Sequence, residues 1–170
     1  MQNQFNYQYI INYVNAATGS IHHPNKVFFL SFSQTRARPN DENYTIINSA
    51  PLGNATLSQS STSPLYDNQQ LSHCIGKNLS NVVLFNSDKP DKNHLYNSSV
   101  TTIYKFELGD IAVAHSPQLQ RFDGFYALPY NLIEIAPIMY GTGIYLKKTG
   151  FVAIATGKSG FVKMILVYFS

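Results

Sequence analysis

Glu134 stands between Ile133 and Ile135 in a run of apolar and aromatic residues. An acid among such neighbours beside a cavity is a candidate catalytic group, because desolvation disfavours its charged form. The other reading of Glu134 is an outward residue on a half-buried strand. Five histidines, His22, His23, His73, His94 and His115, add groups that titrate near neutrality. His22 and His23 are adjacent, so on an extended segment they point opposite ways. No third ligand stands at a usable spacing, and they read as a solvated turn before Pro24. His73 opens a strand-like run and is taken with Glu134 as the catalytic pair. His115 follows a strand and precedes Pro117, a position suited to a barrel mouth. His94 is isolated.

Cys74 is the single cysteine, which excludes an internal disulfide and any multi-cysteine metal site. It reads either as a small core residue or as a thiol facing a ligand. Along Val100 to Leu108 the alternation puts Thr102, Tyr104 and Phe106 on one face and Lys105 and Glu107 on the other. With the aromatic face inward, Tyr104 and Phe106 line an interior and the charged pair is solvated. The expected ligand-binding set is Cys74, Tyr104, Phe106, His115 and Tyr140; no metal site and no cofactor are expected. Gly141-Thr-Gly143 is no phosphate cradle, since strand rather than helix follows it.

The elements that must position these residues are strands. Lys26 to Ser33 alternates Phe28, Leu30 and Phe32 against Val27 and Phe29, and Tyr44 to Asn48 is a short strand. Tyr7, Tyr9, Ile11 and Tyr13 alternate as a strand too, and no amphipathic helix is expected anywhere. Ala55 to Pro64 reads as irregular and Asn86 to Ser99 as a loop. Gly76 inside Leu71 to Phe85 marks a bulge or barrel bend. Gly109-Asp110 turns Val100 to Leu108 into Ile111 to His115 as an antiparallel hairpin. Between Pro117 and Gly141 the prolines imply a broken strand after a wide aromatic loop. Glycines then cut the last thirty residues into short β-rich runs.

At 170 residues the chain makes one domain with room for a core. Charged residues are 12% and the formal charge is +3, with lysines and arginines dispersed apart from Arg36/Arg38 and Lys147/Lys148. That pattern argues against a nucleic-acid surface. No apolar run reaches membrane-spanning length. The polar, uncharged surface slightly favours export, although Met1 to Val14 lacks the basic start and apolar centre of a signal peptide. Four Asn-x-Ser/Thr triplets, at Asn43, Asn54, Asn78 and Asn97, are near chance in so Asn-rich a chain.

Three motifs in order carry a family resemblance: Ser63-Pro-Leu through Gly76, Thr101 to Val113 with its Gly-Asp-Ile, and Tyr140-Gly-Thr-Gly-Ile-Tyr before Gly150-Phe-Val. Together, over residues 44–170, they resemble dirigent proteins and bacterial allene oxide cyclase-like proteins. The resemblance implies an all-β, eight-stranded antiparallel β-barrel, trimeric in several members, with an apolar cavity open at one end. It also implies that Ile144 to Lys148 is a turn. Departures are marked: Ser31-Phe32 stands where dirigents carry His-Asp, Ser63 where they carry Asp, and Tyr140 replaces a glycine. The first-strand glutamate of the cyclases is missing between Tyr7 and Ser33.

Two functions remain open. One is binding of a small apolar or phenolic molecule, with a cofactor-free cyclisation or coupling. The other is a non-catalytic oligomeric module, because Phe161 to Phe169 is apolar on both faces and its second face needs another chain or layer to cover it.

Overall fold

The computed structural model describes residues 3–31, 44–49, 55–84, 95–115, 118–121 and 128–170. Helix α1 (Tyr7–Thr18) leads, followed by strands β1 (Lys26–Ser31), β2 (Tyr44–Ser49), β3 (Ala55–Tyr66), β4 (Cys74–Leu84) and β5 (Leu95–Phe106). The series continues with β6 (Gly109–Ala114), β7 (Gln118–Arg121), β8 (Ile133–Gly141), β9 (Gly150–Thr156) and β10 (Val162–Phe169). Eight of these close a ring in the order β1, β3, β4, β5, β6, β8, β9, β10, every pairing antiparallel. Closure comes at β1 and β3, where Phe29 faces Tyr66. β2 extends β3 and β7 extends β5 outside the ring. A closed ring removes the unpaired edges that an open sheet exposes.

The interior follows from alternation. Phe28, Leu65, Tyr104, Ile111, Ile154 and Ile165 point inward from six strands and form one buried cluster. An eight-stranded barrel is just wide enough for such side chains or one small ligand. At the plugged end, a 3-10 turn at Gly143–Tyr145 turns Tyr145 inward against Phe106 and Phe169, with ring centroids 6.2 and 5.8 Å away. Ile144 to Lys148 is thus a turn between strands, as the resemblance implied.

The N-terminal segment is a helix, not the strand that its tyrosine alternation suggested. Asn6 caps it by accepting the Tyr9 N–H at 3.1 Å, and Gly19 ends it in the left-handed conformation with its N–H donating to Asn15 C=O. Ile10 and Val14, one turn apart, are fully buried, while Tyr7, Tyr9 and Tyr13 are exposed. The buried pair packs with Phe5 on the outer face of β1, β10 and β9, against Phe29, Leu166 and Met164. Ala153 and Ala155 face outward there too, and small side chains let the helix lie close. The second apolar face of β10 is therefore covered by α1, a layer of the same chain.

Other boundaries also moved. Residues 55–64, read as irregular, belong to β3, and Leu95 to Ser99, read as loop, open β5. Both stretches are Ser-rich and weak in strand propensity, but partners on both sides hold them in the sheet. The β5–β6 turn is at Glu107-Leu108, one dipeptide earlier than Gly109-Asp110. A register shift sets Leu65 opposite Gly76 and Tyr66 opposite Cys74, which is the bulge that Gly76 signalled. Residues 86–94, His94 among them, and the aromatic stretch 122–127 lie outside the described residues.

Candidate functional site

Above the aromatic layer the interior becomes polar. Asn78 and Ser80 point inward from β4, and β5 sets Tyr104 and Thr102 directly opposite them. The inward series of β6, Ile111 and Val113, continues past the strand end to His115, whose N–H donates to Val100 C=O at 3.0 Å. On β8 the inward position before Ala136 is Glu134, and on β10 the one before Ile165 is Lys163. Strands far apart in sequence thus converge on one polar group at the end of the barrel away from Tyr145.

The contacts form a chain. Asn78 Nδ2 donates to Ser63 Oγ at 3.3 Å and to Ser80 Oγ at 3.2 Å. Ser80 Oγ lies 3.0 Å from Thr102 Oγ1, and Thr102 Oγ1 3.0 Å from His115 Nε2. His115 Nδ1 is 3.1 and 3.2 Å from the two oxygens of Glu134. An ionised carboxylate only accepts, so His115 Nδ1 carries the proton; in the neutral ring Nε2 then accepts from Thr102. Thr102 in turn accepts from Ser80, and Ser80 from Asn78. Each hydroxyl has one assigned direction, and such chains polarise in a low-dielectric interior.

Burial enforces this electrostatics. The side chains of His115 and Glu134 are only 9% and 20% exposed. Desolvation holds the Lys163 amine below the ordinary lysine range, and the Glu134 charge opposes that shift. Burial pushes the Tyr104 phenol well above its ordinary range, and the negative charge of Glu134 adds to the effect. Asn78 Oδ1 is buried with no hydrogen-bond partner, in a residue 7% exposed. An unmet buried acceptor costs on the order of 1–3 kcal/mol.

Of the residues singled out from the sequence, Glu134, His115 and Tyr104 come together here. Phe106 lies below them in the aromatic layer, where Phe28 stacks edge-on to both rings at 4.9 Å (Tyr104) and 5.1 Å (Phe106). His73 and Cys74 are exposed at the β3–β4 hairpin, with His73 paired to Asp67, and Tyr140 is exposed on β8. The His73 contact and a second one to Asn68 hold the Asp67 carboxyl below its usual range. His22 packs edge-on to Phe151 and Tyr168 beneath the start of β1. Asn78, Ser80, Thr102 and Lys163 were not singled out as site residues. Only Thr102 carried a signal, as a polar residue on the aromatic face of Val100 to Leu108; Asn78, Ser80 and Lys163 lie on strands whose inward face the sequence does not mark. Asn78, being buried in the barrel, is no glycosylation acceptor in the folded chain.

Among the described residues, no three His, Cys, Asp or Glu side chains gather as metal ligands, and no helix is long and apolar enough to cross a membrane. No family model matches the chain, and no curated protein matches it in sequence. Among solved structures, pyocyanin demethylase aligns with a TM-score of 0.47 at 12% identity, over 83% of this chain and 97% of that one.

Proposed function

We propose that the polar end of the barrel binds a small, largely apolar molecule bearing a hydroxyl group, and that His115 and Glu134 move a proton on it without a cofactor. The observation that carries this reading is the hydrogen-bonded chain from Asn78 to Glu134, at the end of the barrel beyond the packed aliphatic and aromatic core. Buried polar networks are costly unless every member is satisfied, and here Asn78 Oδ1 is not. A ligand O–H that donates to Asn78 Oδ1 satisfies it, and the phenol class meets that demand with an apolar ring.

A carboxylate holding His115 Nδ1–H, with Nε2 on a hydroxyl, is the arrangement of a general base whose tautomer is set by its partner. The backbone amides beside Thr102 are engaged in the pairings of β4, β5 and β6, so they build no oxyanion hole there. Proton transfer suits the site better than acyl transfer. Cyclisation or isomerisation inside a confining barrel needs little more, since proximity and exclusion of water lower the barrier. The resemblance to allene oxide cyclase-like barrels points to the same class.

Native mass spectrometry with a panel of substituted phenols and unsaturated fatty-acid epoxides tests the binding. A one-to-one complex is expected, weakened by Asn78→Leu; the absence of any complex across the panel refutes the reading. Solvent deuterium incorporation at carbon in the bound phenol or epoxide, which the freely exchanging O–H does not mimic, tests the chemistry. His115→Gln should slow it at least ~100-fold while retaining binding, and an unchanged rate removes the proton-transfer role.

A further inference from the structure

The plugged end of the barrel presents three aliphatic side chains to solvent. Leu108 at the β5–β6 turn is 64% exposed, and Ile144 and Leu146, flanking the inward Tyr145, are 58% and 63% exposed. The two turns that carry them are tied together. Ile144 N–H donates to Leu108 C=O, Thr142 N–H to Asp110 C=O, and Asp110 N–H to Thr142 Oγ1, each at 3.0 Å. Gly143 sits at φ +58°, where a Cβ would also collide with the Leu108 carbonyl, so the turns meet as closely as backbone allows. The backbone of the apolar tip is therefore held in one arrangement, and burying the tip costs mainly the rotamer freedom of its three side chains.

Charge gathers at the same end. Strand register brings Lys26, Lys77, Lys105, Lys147 and Lys148 there, against the acids Asp67, Glu107 and Asp110. Asp110 is already paired with Lys105 at 3.2 Å. Lys147 and Lys148 follow Leu146 directly, and both are exposed. An exposed aliphatic tip flanked by lysines does not match a nucleic acid, which takes basic and aromatic contacts without an aliphatic wedge, whereas an anionic lipid surface meets both the apolar side chains and the charge.

We infer that this end docks on an anionic lipid bilayer, with Leu108, Ile144 and Leu146 entering the boundary between headgroups and acyl chains. Lys147 and Lys148 then lie against the anionic headgroups. Neither element suffices alone, because a small apolar insertion gives marginal binding that needs electrostatic support. The opposite end, with the polar chain, faces away from the membrane.

Co-sedimentation of the full chain with phosphatidylcholine vesicles, with and without phosphatidylserine, tests this. Binding is expected only with phosphatidylserine and should weaken at high salt. Replacing Lys147 and Lys148 together by alanine should lower partitioning roughly 30-fold, at about 1 kcal/mol per lysine. The combined Leu108→Ser, Ile144→Ser and Leu146→Ser variant should lower it at least ~10-fold while keeping the wild-type melting transition, since all three side chains are exposed. Absence of binding to phosphatidylserine vesicles overturns the inference, and so does undiminished binding by the serine variant. A concentration-dependent dimer that the serine variant dissolves also overturns it, by assigning the tip to a second copy of the chain.

Discussion

Replacing Glu134 by leucine removes the one acid that the described interior places among His115, Lys163 and Tyr104. Breaking a buried ionic contact from one side typically costs about 3–5 kcal/mol, because the remaining charge stays desolvated. Glu134 keeps 20% of its side-chain exposure, so the lower end, about 3 kcal/mol, is the appropriate figure here. For a domain of this size that corresponds to a melting temperature lower by roughly 6–12 °C. Lys163 sets the pH dependence. Its folded amine has a pKa below the 10.5 of the free side chain, so across that interval the unfolded chain binds more protons. Stability rises with pH there and is lost as pH falls through the folded value. Glu134 opposes the depression, so Glu134→Leu should widen the interval and enlarge the loss that accumulates as pH falls across it. Urea unfolding followed by tyrosine fluorescence measures both effects, since the chain has 12 tyrosines and no tryptophan. Adding Lys163→Met should recover at least about 1 kcal/mol, read as coupling in a double-mutant cycle. If Glu134→Leu is neutral or stabilising, or if the two changes are additive, Glu134 does not hold the interior charge together.

Alkaline ultraviolet titration should show three late tyrosines, Tyr104, Tyr145 and Tyr168, all raised by burial. Burial pushes Tyr168 up to about 12 and Tyr104 higher, so stability present below pH 10 is lost as pH rises through these values; all tyrosines titrating together near 10 would contradict it. Ile10→Ala should destabilise by about 3 kcal/mol, because the side chain is fully buried between α1 and the outer face of the barrel. A change below about 1 kcal/mol in a denaturant melt would mean that the helix is not docked. Gly150→Ala should cost about 3 kcal/mol, since φ is +136° and a Cβ would strike the Tyr168 carbonyl. An unchanged midpoint for that variant would contradict the register of β9 with β10.

Strands with clear alternation were legible in the sequence. Val100 to Phe106 shows which residues face in, because a one-residue slip would expose its whole aromatic set, while Ile111 to Ala114 and the two closing strands are legible as strands but are apolar on both faces. Helix α1 is disguised in the sequence, because Tyr7, Tyr9, Ile11 and Tyr13 imitate a two-residue period. The deciding signals were Asn6, Gly19 and the four-residue spacing of Ile10 and Val14. β3 is not legible over residues 55–64, because that Ser-rich stretch gains its place from pairing with β2 and β4 rather than from its own preference. In the candidate site, Glu134 and His115 were visible one at a time, as an acid in an apolar run and a histidine at a strand end. Thr102, Ser80, Asn78 and Lys163 are unremarkable in isolation.

By itself the sequence determined an all-β chain with inward aromatic faces at Tyr104 and Phe106, a turn after Gly141, and a last strand apolar on both sides. Alternation and turn chemistry are local, and they survive without knowledge of partners. Only the tertiary structure decided that α1 covers the second face of that strand, and that residues 63, 78, 80, 102, 115 and 134 form one hydrogen-bonded chain. Ring closure causes both, since it fixes the register of strands as far apart in the chain as β1 and β10 and so determines which polar side chains share a desolvated interior.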